Sequence, residues 1–190
     1  MKKRTKLIYA LLAGCILIGT GGCEKENVRQ YDLLPEQEEP EMDITSSGTI
    51  SVNFDNASGA GGNEGSLKLV DNDYNSKFLI NPYRENLYMQ LAFPGGIAVS
   101  AYVLASANDA QDRDPKNWQL VGSNDMENWT VLDSKTDYMF TSRLQKVRFD
   151  IENATKYRYY RLNVTAIRGG TGLFQMAEWR LIYDPNRQAN

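Results

Sequence analysis

The segment Asp71-Asn72-Asp73-Tyr74-Asn75-Ser76 places two carboxylates and a hydroxyl within a single turn. Hard cations such as calcium take roughly six to eight oxygen ligands, and Asp71, Asp73 and Ser76 supply several of them. The spacing Asp-x-Asp-x-Asn opens like an EF-hand loop, but Ser76 stands where that motif has Gly and Pro82 where it has Glu, which excludes it. The same residues also make an Asp/Asn turn without any metal. Other chemistry is scarce. The chain has no histidine and two cysteines, Cys15 and Cys23. Ser-His-Asp and Cys-His catalysis and imidazole-ligated metals are therefore excluded. A carboxylate pair is the remaining catalytic route, and it needs one acid held at a raised pKa by apolar surroundings. Asp109, Asp112, Asp114, Asp125 and Asp137 sit among Asn, Arg and Lys in turns, so the residues point to a non-catalytic protein.

A sugar offers C–H patches to aromatic faces and hydroxyls to planar polar side chains, so a glycan site needs exposed aromatics flanked by Arg, Asn or Asp. Ser106 to Trp129 reads SANDAQDRDPKNWQLVGSNDMENW, with turn-rich clusters Asn108 to Asp114 and Ser123 to Asn128 on either side of a short strand, Trp118 to Gly122.

A loop written SANDAxxRDPKxW followed by GSNDxxNWxxL resembles the middle of a coagulation factor V/VIII type C, or discoidin-like, domain. More narrowly, it is similar to the family 32 carbohydrate-binding modules of bacterial glycan-degrading systems. The resemblance implies a structural calcium bridging an Asp-Gly-Asp-x-x-Thr turn to a Glu near the C-terminus; Asp71, Asp73 and Ser76 match the turn and Glu178 the Glu, with Asn72 in place of Gly and Ser76 in place of Thr. It implies a ligand site on loops at one end of the fold, with Phe174 as the stacking aromatic, Asn108 and Arg113 as polar contacts and Phe78 near an aromatic of the first loop. The histidine often found in galactose-binding members has no counterpart. Read by themselves, Phe174 equally suits a core plug and Arg113 a structural turn beside a carboxylate. Tyr74, Tyr83, Tyr138 and Phe140 are secondary loop aromatics. The family also binds proteins and phospholipids, so the alternative to a glycan-binding domain is a protein-interaction or adhesion module.

The elements that must position these residues are strands. Leu87, Met89, Leu91 and Phe93 alternate with Tyr88, Gln90 and Ala92; Val147, Phe149 and Ile151, then Tyr160, Leu162, Val164 and Ala166, repeat the period of two. Val99, Ala101, Val103 and Ala105 share another face, and Ala177, Trp179, Leu181 and Tyr183 close the series. Short strands separated by turns predict an all-β fold, an antiparallel β-sandwich or jelly roll of the galactose-binding-domain-like type, over 49–184, with Trp118, Trp129 and Trp179 in its core.

Ahead of it, Lys2, Lys3, Arg4 and Lys6, the apolar run Leu7 to Ile18 and small residues ending at Cys23 have the layout of a secretory signal, 1–22, with Cys23 as the lipidated N-terminus of a bacterial lipoprotein. Leu12-Ala13-Gly14-Cys15 is the better short lipobox match, but cutting there leaves a very short apolar segment. Residues 23–48, acidic and proline-spotted, read as a flexible tether, and 185–190 as a tail. Removing the signal takes Lys+Arg from 21 to 17 against 24 acidic residues, about −7 overall. An acidic chain is a poor match for nucleic acid or anionic lipid, so the predicted partners are a glycan and possible partner lipoproteins, with the membrane reached only through the lipid. The predicted location is the outer membrane, lipid-anchored, with the periplasmic and the exterior face both open.

Overall fold

The computed structural model describes residues 38–152, 155–170 and 172–187. The signal segment, Cys23 and most of the tether lie outside the described residues. Eleven strands run through the described chain: β1 (Met42–Asp43), β2 (Thr49–Val52), β3 (Phe78–Ile80), β4 (Leu87–Ile97), β5 (Ala101–Ala105), β6 (Pro115–Ser123), β7 (Thr130–Lys135), β8 (Lys146–Asp150), β9 (Tyr157–Ile167), β10 (Phe174–Met176) and β11 (Glu178–Tyr183). All pairings are antiparallel. One sheet has the order β1-β11-β5-β8 and the other β2-β4-β9-β6-β7; β3 and β10 form a separate two-stranded ribbon. This is the β-sandwich that the period-two patterns predict.

The alternation decides which side chains meet between the sheets. Leu87, Met89, Leu91 and Phe93 of β4 and Leu162 and Val164 of β9 lie in the buried core with Tyr102 and Leu104 of β5 and Trp179 and Leu181 of β11. One polar chain ties the sheets through that core: Trp118 Nε1 donates to Tyr102 Oη at 2.9 Å, and Tyr102 Oη donates to Asp133 Oδ2 at 2.7 Å.

Two boundaries and one core residue differ from expectation. The folded region begins before Thr49: β1 pairs Met42 with Tyr183 and Asp43 with Ile182, and Ile44 enters the core. An ion pair from Arg180 Nε to Asp43 Oδ2, 2.8 Å, fixes this edge, so part of the acidic stretch read as tether is sandwich. Residues 185–187 are also tied down, since Arg187 Nη1 donates to Ser100 O at 3.2 Å and Ile151 O at 2.6 Å. Trp118 and Trp179 are buried as predicted, but Trp129 is only half-buried and lies outside the core, because it precedes β7 and folds onto the outer face of the five-stranded sheet.

Candidate functional site

Two assemblies involve the residues singled out in the sequence. In the first, the turn after Leu69 meets the start of β11. Asp71 Oδ1 accepts from Asp73 N at 3.0 Å and from Ser76 Oγ at 3.1 Å, and Asp71 Oδ2 accepts from Lys68 Nζ at 3.1 Å. Asn72, with φ of 62°, takes the left-handed conformation that its short amide side chain tolerates. Glu178 is wholly buried and faces Asp71. Its Oε2 lies 3.4 Å from Arg180 Nη1, while its Oε1 is buried with no partner. Burial and the hydrogen bond to Asp71 push the Glu178 pKa up to about 8. Burial also works to raise Asp71, but its bonds to the Asp73 amide, Lys68 and Ser76 outweigh that and hold it below the usual carboxylate range.

A buried carboxylate oxygen without a donor, beside a second carboxylate and a hydroxyl, is an all-oxygen donor set suited to a hard cation. Asp71, Ser76 and Glu178 therefore fit the calcium that the resemblance implies. Asp73 does not join them in the same way: its Oδ1 accepts from Asn75 N at 3.0 Å and Asn75 Nδ2 at 3.2 Å, holding the turn itself. Among the described residues no three acidic side chains converge as a metal cluster, so backbone carbonyls and water would complete such a shell.

In the second assembly, four connecting segments share one region. Gly169 N donates to Asp112 O at 2.7 Å, joining the loop after β9 to the loop before β6. Tyr83 N donates to Gly172 O at 2.6 Å, bringing in the loop before β4, and Leu79 N donates to Glu64 O at 3.1 Å, bringing in the loop after β2. Lys77, its side chain only 12% exposed, reaches Asn108 Oδ1 at 3.3 Å and Asp109 Oδ2 at 2.8 Å. Arg113 Nη1 stands 3.9 Å from the same Asp109 oxygen. The Lys77 bond holds the Asp109 carboxyl below its ordinary pKa, so it is an ionised acceptor at neutral pH. Gln175, fully buried under this loop, donates through Nε2 to Asp109 O and Ala110 O at 3.1 and 3.0 Å and leaves Oε1 unpartnered.

Asn108 and Arg113 are thus brought together around Asp109, and Lys77 and Asp109 are the partners that sequence reasoning missed. The adjacency of Lys77 to the aromatic at 78 was the available signal, but its 32-residue separation from Asp109 hid the contact. Phe174 and Phe78 require correction. Both are wholly buried, with ring centroids 6.1 Å apart in edge contact, because β10 and β3 are covered on both faces. Neither presents a face to a sugar. Among the secondary aromatics Phe140 is also buried, Tyr138 packs on Trp118 and Phe149, and Tyr74 lies under Lys146 Nζ at 3.2 Å. Tyr83 remains half-exposed at the loop cluster, its hydroxyl donating to Val164 O at 3.1 Å and its pKa pushed up to about 12 by burial. Asp114, buried against Arg143, has its pKa raised by desolvation and belongs to the loop's internal scaffold.

Comparison with known proteins gives the fold its family. The F5/8 type C domain model matches residues 44–179, and the chain belongs to that family. Its structure is similar to a family 32 carbohydrate-binding module from Clostridium perfringens solved with GalNAc-beta-1,3-galactose: TM-score 0.59 and 13% identity, over 73% of this chain and 96% of that one. It is also similar to an F5/8 type C domain from Bacteroides fragilis, with TM-score 0.61 and 11% identity over 76% of this chain and 95% of that one. In sequence it is 41% identical over 78 residues to an Arabidopsis thaliana peptide-N(4)-(N-acetyl-beta-glucosaminyl)asparagine amidase. That match spans 38% of this chain and 11% of the plant protein. The first two likenesses, at such low identity, concern the fold alone.

Proposed function

We propose that the chain is a non-catalytic glycan-binding domain whose site is the loop cluster around Asn108, Asp109, Arg113 and Lys77. The carrying observation is the convergence of these side chains at 2.8 to 3.9 Å, which fixes acceptors and donors at one loop cluster of the F5/8 type C fold. Sugar hydroxyls would bond Asp109, Asn108 and Arg113, and Tyr83 takes the stacking role that buried Phe174 cannot. The absence of histidine supports binding without catalysis, and Asp114, the loop acid whose pKa burial raises, is taken up by Arg143 in the loop's scaffold. The Asp71, Ser76 and Glu178 oxygens would hold a structural calcium, which supplies charge to the loop-to-β11 junction and no reaction chemistry. Cys23, once acylated, would anchor the domain in the outer membrane facing the exterior, where partner lipoproteins of a glycan-utilisation complex could share its ligand.

A glycan array probed with the purified chain tests this reading. A defined set of hits that weakens about tenfold or more in Asp109→Ala and in Tyr83→Leu, with the fold retained, is expected. A blank array from well-folded protein overturns it.

A further inference from the structure

The outer face of the five-stranded sheet carries an arrangement that the loop site does not use. The register aligns Ser51, Gln90, Arg161, Val121 and Val131 across all five strands, outward of the core. The Arg161 guanidinium lies 3.9 Å from the Tyr88 ring centroid and 4.0 Å from that of Trp129, between two half-exposed aromatics. Gln90 Oε1 accepts from Arg161 Nε at 3.1 Å and Nη2 at 2.7 Å, which locks the plane of the group and leaves Nη1 unused. Trp129 Nε1 in turn donates to Met126 O at 3.0 Å, so the indole is itself held in place. Met126 and Val131, 50% and 53% exposed, extend the patch as apolar surface.

Two features separate this patch from an ordinary surface cation. Arg161 meets no carboxylate among the described residues, in a chain of net charge −3, and whereas Arg84 and Arg158, which also lack one, each lie over a single ring, Arg161 is held between two. A partly desolvated guanidinium clamped between rings and short of an anion is a preorganised carboxylate receptor. The next outward row, Tyr88, Asn163, Gln119 and Ser134, is amide and hydroxyl, which suits a polyhydroxylated chain better than the apolar centre of a protein interface.

We infer that this sheet face is a second binding site, taking an internal segment of an acidic polysaccharide. A uronate carboxylate pairs with the free edge of Arg161, the sugar C–H face lies on Trp129, Met126 and Val131, and the amide row meets the hydroxyls of the next residue. The site stands independently of the loop cluster, which the reading above assigns to a glycan.

Trp129 reports on it directly. Of the three tryptophans, Trp118 and Trp179 are wholly buried, so iodide quenching of the purified chain reads Trp129. Galacturonate, mannuronate and glucuronate oligosaccharides are titrated, with methyl-esterified galacturonate as the neutral control. The expected result is that at least one uronate protects Trp129 from iodide, that the ester does so at least tenfold more weakly, and that Arg161→Gln loses the effect while Asn108→Ala keeps it. Tyr88→Leu, which removes one side of the clamp and leaves the reporter, serves if Arg161→Gln does not fold, and it should weaken binding severalfold. Unchanged quenching with all three uronates, equal protection by the ester, or full affinity in the folded Arg161 or Tyr88 variants overturns the inference. Loss of array hits in Asp109→Ala bears on the loop site alone.

Discussion

Glu178 brings a carboxyl into the interior with one oxygen unpartnered, and what matches that oxygen determines how the domain responds to pH. In chelator, the match is a proton. The folded-state pKa of about 8 lies above the ordinary value of 4.5, so the folded protein holds a proton that the unfolded chain releases. The stabilising contribution is fully present below pH 4.5 and is lost as pH rises through 8. Thermal melts in EDTA should therefore show a falling Tm across that window. Saturating calcium competes with the proton and should raise Tm most at its alkaline end, flattening the slope, and Glu178→Gln should be flat and indifferent to calcium. A melting temperature that ignores calcium at pH 8 would falsify the metal assignment. At this scale the sequence was informative where chemistry is local: Asp71 and Ser76 meet within one turn because Asx and hydroxyl bonding is set by spacing alone. It was uninformative where burial decides, since Phe174 reads equally as platform or plug, and Phe78 as a loop aromatic, until both faces of the ribbon are known to be covered.

Strands were legible for the same reason that short turns were: period two maps directly onto inside and outside, so β4, β8 and β9 could be read from their alternation. The alternation could not place β1, two residues long, which owes its pairing to an ion pair with Arg180 across 137 positions. Nor could it place Trp129, where hydrophobicity pointed inward and an arginine on β9, across β6 from β7, meets the ring outside the core. The contact between the two sheets was equally invisible, because the Tyr102 hydroxyl joins β5 to Trp118 on β6 and Asp133 on β7. Its removal has a defined cost. Tyr102→Phe keeps the ring and strands the buried Trp118 N–H, which should destabilise the domain by about 1–3 kcal/mol in urea melts with the m-value unchanged. A loss within a few tenths of a kcal/mol would mean that water replaces the hydroxyl at the sheet interface.

For the whole molecule, a domain that holds short sugars through a few polar contacts binds each one weakly, since every contact first surrenders water and freedom. Many copies fixed to one surface change this, because the second and later contacts occur at an effective concentration set by the tether, and avidity can add about 10²–10⁴ to the single-site affinity. The proposed anchor at Cys23 is thus a functional element of the binding reading, and it can be tested apart from the sandwich. Cys15 and Cys23 are the only two thiols, each preceded by small residues, and they make opposite demands on processing. Acylation at Cys23 leaves an acidic segment beginning Glu24 ahead of the folded region, whereas acylation at Cys15 would retain Ile16, Leu17 and Ile18 next to the lipid. Cells expressing the chain and fed an alkyne-bearing fatty acid should label it, lose the label in Cys23→Ser and keep it in Cys15→Ser, with the unlabelled variant no longer partitioning with membranes. Retained label in Cys23→Ser would move the anchor to Cys15, and absence of label in the parent chain would remove the surface array on which the avidity argument depends.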